Sequence, residues 1–257
     1  MLLLAAKALF APILLAACAF VGHRWGTAVG GWLLGLPLTS GPVSYFLLIQ
    51  HGSHFAGNAA RGALLGMVGT GVFCVGYALG SKGRPWWQAL LLAGVASLSV
   101  TIALTQVHPD FMAAVLFAVV FLGLMAAVVG RPQHDTVIPS SKVHVLFVRM
   151  AVASTVVVGV TLASTHLGSQ VSGTLTAVPV ISAIMAVSTH RSAGSDSVRG
   201  LMRGAVAGLW GGAAFFVVVG LLVTDTAPAI TYLAATAAAG LVAVVFGRLM
   251  ASRRLAS

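Results

Sequence analysis

Residues 111–130 have the sequence FMAAVLFAVVFLGLMAAVVG, a run without one charged side chain. A helix of about 20 apolar residues crosses the hydrocarbon core of a bilayer. The whole chain of 257 residues has this character, because 59% of it is hydrophobic, 7% is charged and the mean hydropathy is +1.03. A soluble domain carries roughly 25% charged residues. The polar/apolar alternation of a membrane barrel is missing from the sequence, so an all-α polytopic membrane protein is predicted.

Charges, prolines and glycines divide the chain into nine apolar segments, each of a length that suits a membrane helix. The segments are 2–21, 26–50, 62–80, 86–106, 111–130, 144–164, 168–188, 202–222 and 227–248. The connections between them are too short for a soluble domain, so the sequence predicts a single membrane domain over 1–257. The first segment lacks the basic start of a signal peptide and is interpreted as a membrane helix.

The distribution of basic residues predicts the orientation of these helices. With the amino terminus outside, eleven of the 14 Lys and Arg residues lie in cytoplasmic loops or at the carboxyl end. Positive charge on the cytoplasmic side is the rule for membrane proteins. We therefore expect the amino terminus outside and the carboxyl terminus inside a cell membrane, of the bacterial inner-membrane type. The net charge of +10 then reflects topology, so the lipid bilayer is the expected partner and nucleic acid is not.

The chain also contains an internal repeat, which a shift of 142 residues makes visible. Between positions 26 and 75 this shift produces fifteen identities, several of them at rare residue types. The most informative pairs are Gly26/Gly168, Pro37/Pro179, Ser40/Ser182, Gly52/Gly194, Ser53/Ser195, Arg61/Arg203, Gly66/Gly208 and Phe73/Phe215. The sequence thus predicts two four-helix repeats, 1–106 and 143–248, joined by the linking helix 111–130.

This arrangement makes the two repeats opposite in orientation, since equivalent helices are five crossings apart and five is odd. Inverted repeats are a recurring design of secondary transporters. By this analogy we expect an exporter or exchanger of a small anionic or neutral solute. The alternative is a duplicated but non-transporting membrane protein, such as a lipid-handling enzyme or a structural subunit of a membrane complex. Convergent polar side chains are few, so neither a catalytic site nor a cofactor is expected.

The best candidate for a binding site is an interruption in the second segment. Residues 35–42 have the sequence GLPLTSGP, in which two prolines remove backbone donors and two glycines loosen the helix. The seventh segment has a milder counterpart around residue 179. Non-helical backbone inside a membrane must line a cavity or be buried in protein. The alternative interpretation of both interruptions is a simple proline kink in a continuous helix. The predicted substrate-binding residues are Pro37, Thr39, Ser40, Gly41, Pro42, Pro179 and Ser182.

Several basic side chains are candidates for anion attraction or gating. Arg61 and Arg203 lie at the starts of the segments 62–80 and 202–222, where they either anchor the helices at headgroups or attract anions. Arg149 lies deeper in its segment, and a cation at such depth is a functional candidate.

Two histidines occupy the most polar connection, residues 50–58. His51 and His54 suit a gate or rim, and they lack a third ligand for a metal. The four acidic residues all lie in loops or at segment ends, which argues against a cation as the solute.

Two short stretches resemble known transporters. Ser40-Gly41-Pro42-Val43-Ser44 and Pro179-Val180-Ile181-Ser182-Ala183 are similar to the broken-helix motifs of inverted-repeat transporters for bile acids and arsenite. The likeness covers only these two stretches, and no residue role follows from it.

Overall fold

The computed structural model describes residues 13, 16–38, 40–129, 151, 155 and 179–252, with the side chains of 247–252 left aside. These residues are 89% helical, and no strand occurs among them. Six of the described helices or helix pairs are long and apolar enough to cross a membrane. The prediction of an all-helical protein with apolar, membrane-compatible helices is therefore confirmed. The predicted segments 2–21 and 144–164 lie largely outside the described residues.

The helices are numbered here in chain order. They are α1 (16–25), α2 (Thr27–Gly35), α3 (Ser40–His51), α4 (Ser53–Gly80), α5 (Trp86–Gln106), α6 (Phe111–Val129), α7 (Val180–Leu222) and α8 (Pro228–Ser252). Together, α2 and α3 form one apolar span with an interruption.

The long helices α4 and α7 form the centre of the bundle, and the other helices pack around them. In α4, 78% of the most apolar stretch is buried, against 28% in α5 and in α6. The outward faces of α5 and α6 carry exposed leucines and valines. Exposed apolar faces on outer helices are what a bilayer solvates.

Glycines bring α2 into backbone contact with α7. A Cβ added to Gly31 or Gly35 would overlap the backbone of α7 between Leu201 and Leu209, and one added to Gly204 would overlap the carbonyl of Ala28. Such close approach is possible only for residues without a side chain. Gly31 and Gly35 of α2 thus form a helix–helix interface with Gly204 and Gly208 of α7.

In two helical hairpins, α4–α5 and α7–α8, the second helix packs against the first through a row of small residues. The buried small residues of α5 are Ala89, Ala93, Ser97 and Thr101, and those of α8 are Thr231, Ala235, Ala239 and Ala243. Each residue of the second set lies 142 positions after its counterpart in the first. The hairpins are also closed at equivalent points, because α4 ends at Gly80 and α7 ends at Leu222.

The helix α6 crosses the bundle from one end to the other, and at about 1.5 Å per residue its length is about 28 Å. We call the two ends of the bundle the Pro109 end, after a residue just before α6, and the Val129 end, after the last residue of α6. At the Pro109 end, Phe111 packs against Gly220 and Val223 lies beside Gly57. The loops 107–110 and 223–227 therefore lie at the same end, together with the start of α4.

Two predicted helix starts differ from the structure in the same way. Where the sequence predicted helices over 62–80 and 202–222, α4 begins at Ser53 and α7 is helical from Val180 apart from Gly194. The interpretation of residues 50–58 as a loop is wrong, since only Gly52 is non-helical there. Helical hydrogen bonding continues around this glycine, because its N–H donates to Leu48 O at 2.9 Å and its carbonyl accepts from Ala56 N–H at 3.1 Å.

Candidate functional site at the helix break

The chain between α2 and α3 is not helical at residues 36–38, and proline chemistry explains the break. In a continuous helix the carbonyl of Leu33 would accept from residue 37, but Pro37 has no N–H. Leu36 N–H donates to that carbonyl instead, at 3.3 Å, and Leu36 itself is extended (φ −71°, ψ 151°). Pro42 lies in the first turn of α3, where a missing donor is tolerated.

The break lies half-way through the bundle. Gly35, the last residue of α2, packs against the backbone of α7 between Ala205 and Leu209, and Leu36 covers Gly211. These residues are central in the second part of α7, which runs from residue 195 to residue 222. α3 therefore begins half-way through the bundle and presents the positive end of its helix dipole there.

Aromatic side chains from the second half of the chain face the beginning of α3. A Cβ added to Gly41 would lie 3.2 Å from Cζ of Phe215. The Ser44 and Tyr232 hydroxyls form a hydrogen bond of 2.8 Å. Tyr232 also makes edge-on ring contacts with Tyr45 and with Phe215, at 5.1 and 5.9 Å between ring centroids. Hydroxyl groups and aromatic rings thus surround the start of this half-helix.

Ser40, in the first turn of α3, is buried at 9% exposure. Thr39 precedes it but lies outside the described residues. Ser40, Gly41, Pro42 and Pro37 are brought together by the turn itself, since Gly41 N–H donates to Pro37 O at 2.8 Å. Four of the predicted binding residues are therefore adjacent in space at the break.

The beginning of α7 repeats this local structure. Pro179 precedes the helix in a non-helical conformation (φ −80°, ψ 49°), and its carbonyl accepts from Ala183 N–H at 2.8 Å. Ser182 is buried in the first turn, at 4% exposure. The two hydrogen bonds and the two serines are all related by the 142-residue shift. Each half of the chain thus contains one helix that begins with the same proline and serine arrangement.

The predicted gating residues do not lie at the break. The rings of His51 and Phe55 are in contact, with their centroids 4.5 Å apart, and both His51 and His54 are exposed at the Pro109 end. No group of three metal-binding side chains occurs within the described part of the chain. Arg149 lies outside the described residues.

Arg61 and Arg203 lie inside helices rather than at helix starts, so that part of their prediction is wrong. The Nη1 of Arg61 donates to Pro109 O at 3.1 Å, and the Nε of Arg203 donates to Val129 O at 2.9 Å. Both side chains therefore hold backbone carbonyls at the ends of α6. Anchoring at lipid headgroups and attraction of anions both stay predictions for these two residues.

The aromatic residues Phe215 and Tyr232 were missed by sequence reasoning. The sequence distinguished only Phe215, which the 142-residue shift pairs with Phe73. The contact of Tyr232 with Ser44 connects parts of the chain 188 residues apart, which no local pattern predicts. Comparison of the chain with protein-family models, with curated proteins and with solved structures found no significant match.

Proposed function

We propose that this protein is a secondary transporter that moves a small anionic or neutral solute by alternating access between two inverted repeats. The observation that carries the proposal is the pair of helices that begin within the bundle, at Ser40 and at Val180, each after a proline. Half-helix ends at mid-membrane offer free backbone amides to a solute, as in known transporter designs.

Backbone conformation supports the existence of two structural repeats. Gly52 has φ 83° and ψ 174°, and the equivalent Gly194 has φ 82° and ψ −178°. Most L-residues avoid this region, and glycine adopts it readily. A helix turn with the same unusual geometry at the same register in both halves favours common architecture over chance identity.

The inverted relation of the repeats is supported by the two arginines. Arg61 donates to the Pro109 end of α6 and its equivalent Arg203 donates to the Val129 end. Two repeats in the same orientation would direct equivalent side chains to the same end of the bundle. Inverted halves make the inward-open and outward-open states nearly equal in energy, which is what alternating access needs.

The full proposed topology has nine helices, with the amino terminus outside and the carboxyl terminus in the cytoplasm. In that topology the Pro109 end faces outward and the Val129 end faces the cytoplasm. The described loops are consistent with it, because Lys82 and Arg84 lie in the loop at the Val129 end. The cell membrane of a bacterium is the proposed location.

The chemistry of the break favours an anionic or neutral solute. Buried hydroxyls of Ser40 and Ser182 lie in the first turns of their helices, where the dipole favours negative charge or hydrogen-bond acceptors. Asp110, Asp196 and Asp225, the acidic residues that the structure describes, are all exposed. A carrier of cations would ordinarily hold a carboxylate inside the membrane.

The test is flux in reconstituted vesicles against a panel of small anions and uncharged polar solutes. We expect saturable flux of at least one solute above protein-free vesicles. Ser40→Ala and Ser182→Ala should each raise the half-saturation concentration about fivefold, as expected for one lost hydrogen bond. Ser192→Ala is the matched control, because Ser192 is exposed in α7 and bonds only to its own helix in the described structure.

The contradicting result is a monodisperse, folded preparation without flux of any solute in the panel. That outcome would favour the alternative, a non-transporting membrane protein such as a lipid-handling enzyme or a structural subunit.

A further inference from the structure

Two short helices are each bounded by a proline at one end and a glycine of positive φ at the other. The first half-helix is α3, and the second half-helix is the part of α7 over 180–193. Each begins within the bundle after a proline and ends at a glycine of positive φ, Gly52 or Gly194. No atom lies within 4 Å of a Cβ added to either glycine. Each half-helix therefore has a non-helical residue at both ends, with open space at the outer one.

The first half-helix is bonded to the opposite half of the chain. The Ser44–Tyr232 hydrogen bond of 2.8 Å joins α3 to α8, in the part of the bundle between the break and the Pro109 end. Tyr232 is in the second turn of α8, and Phe215 packs against its ring. Removing this hydroxyl would leave the ring packing intact and break the only hydrogen bond that joins α3 to α8 among the described residues.

The second half-helix has a corresponding contact at the Val129 end. The Tyr77 hydroxyl lies 3.4 Å from Nδ1 of His190, and it also lies 3.5 Å from the carbonyl oxygen of Trp86. Tyr77 is in the last turn of α4, and Arg191 lies over the Trp86 ring at 5.6 Å. This contact joins the second half-helix to the first half of the chain, so the two attachments cross between halves.

We propose that Tyr232 and Tyr77 are the two gate residues of the protein, which hold the half-helices closed at the Pro109 end and the Val129 end respectively. Each gate would open by rotation of its half-helix about the terminal glycine and the proline break. The proposal rests on the proposed function for its purpose, because a gate matters only where a solute passes. Its physical content is separate, since it states which contact controls access from which end.

The two contacts differ in strength. A hydroxyl pair at 2.8 Å is at the ideal distance, whereas separations of 3.4 and 3.5 Å are at the limit for hydrogen bonds. The described conformation is therefore held more firmly at the Pro109 end. Loss of the Tyr232 hydroxyl should consequently have the larger effect on access.

The experiment measures labelling of single cysteines by a membrane-impermeant thiol reagent applied from one side at a time. Ser40→Cys reports on the first half-helix and Ser182→Cys on the second. The native Cys18 and Cys74 are buried, and their labelling is measured in the parent protein and subtracted. Tyr232→Phe should raise labelling at position 40 from the Pro109 side by roughly threefold, the shift that one interhelical hydrogen bond in a membrane protein controls.

Tyr77→Phe should raise labelling at position 182 from the Val129 side, by a smaller factor. Tyr45→Phe is the matched control, since Tyr45 belongs to the same aromatic cluster and its hydroxyl makes no hydrogen bond within the described residues. All variants should elute as monodisperse protein with unchanged melting temperature to within a few degrees. We expect this because a tyrosine-to-phenylalanine change keeps the aromatic ring and its packing.

Unchanged labelling in both variants, or equal increases from both sides, would overturn the gate assignment. Labelling needs no solute, so the gate assignment and the transport function can each be contradicted without the other. Side-specific labelling without flux of any solute would contradict the transporter and leave the gates, whereas solute flux with unchanged labelling would contradict the gates alone.

Discussion

Arg61 and Arg203, which occupy equivalent positions in the two halves of the chain, donate hydrogen bonds to opposite ends of the same helix. Arg61 bonds to the carbonyl of Pro109 and Arg203 to that of Val129. The α6 helix between these residues lies outside both proposed repeats, so each half of the chain contributes one side chain that fixes it in the bundle. Val129 O is one of the last carbonyls of α6, which have no intrahelical donors, and a cation near this last turn is favoured by the helix dipole. Pro109 precedes α6, so the bond from Arg61 fixes the loop that leads into the helix.

The first prediction concerns these two bonds. Arg61→Ala and Arg203→Ala should each lower the free energy of unfolding by about 1 kcal/mol, a value within the range for interhelical hydrogen bonds in membranes. Because the sites are separated by the length of α6, the two effects should add in the double variant. Arg84→Ala, in an exposed loop, is the control. Thermal unfolding in detergent measures all four, and strong non-additivity would contradict two independent attachments.

The second prediction concerns backbone strain at the glycine turns. Gly52→Ala and Gly194→Ala should destabilise by similar amounts, about 1 kcal/mol each, because alanine is disfavoured at positive φ. Space is not the cause, since a Cβ has no neighbour within 4 Å at either glycine. Gly123→Ala, in α6 with equally open surroundings, should be neutral or stabilising. Unequal effects at the two turns would argue against their structural equivalence.

The third prediction tests the close packing of α2. Gly35→Ala places a methyl group on the backbone of α7, which cannot move aside without displacing a central helix. We expect a loss of about 3 kcal/mol or failure to accumulate folded protein. Gly94→Ala has open space around its Cβ and serves as the control. Normal yield and melting temperature for Gly35→Ala would show that α2 packs elsewhere.

The fourth prediction concerns orientation. Cysteines introduced at His54 and His108, which are exposed at the Pro109 end, should react with an impermeant reagent added outside intact cells. A cysteine at Lys82, in the loop at the Val129 end, should react only after the membrane is opened. The reverse pattern would place the amino terminus in the cytoplasm.

Much of this architecture could be predicted because apolar length and proline chemistry act locally. The apolar runs predicted the positions of the described spans, and the prolines at 37 and 179 predicted where α3 and α7 begin. The helix starts at Ser53 and near Ser195 could not be predicted in this way. Polar residues there resemble a loop, whereas a glycine at positive φ turns the chain while helical bonding continues.

The relation of α5 to α8 was hidden for a different reason. The buried rows of α5 and α8 consist of small residues in both helices, but the residue types differ at equivalent positions. Ala89 corresponds to Thr231, and Ser97 corresponds to Ala239. Residue identity therefore aligned them weakly although both pack against glycines, Gly69 and Gly211. The aromatic contacts of Tyr232 with α3 depend on packing between the two halves, which no local pattern encodes.

The central claim is that the break between α2 and α3 forms the transport site, and flux per folded molecule in the double variant Pro37→Ala, Pro42→Ala tests it most directly. Restored backbone donors should allow a continuous helix through residues 36–38. We predict folded protein whose flux is abolished, while Pro85→Ala, at the exposed start of α5, retains full flux. Lower stability with normal flux per folded molecule would contradict the claim, because the prolines would then shape packing alone.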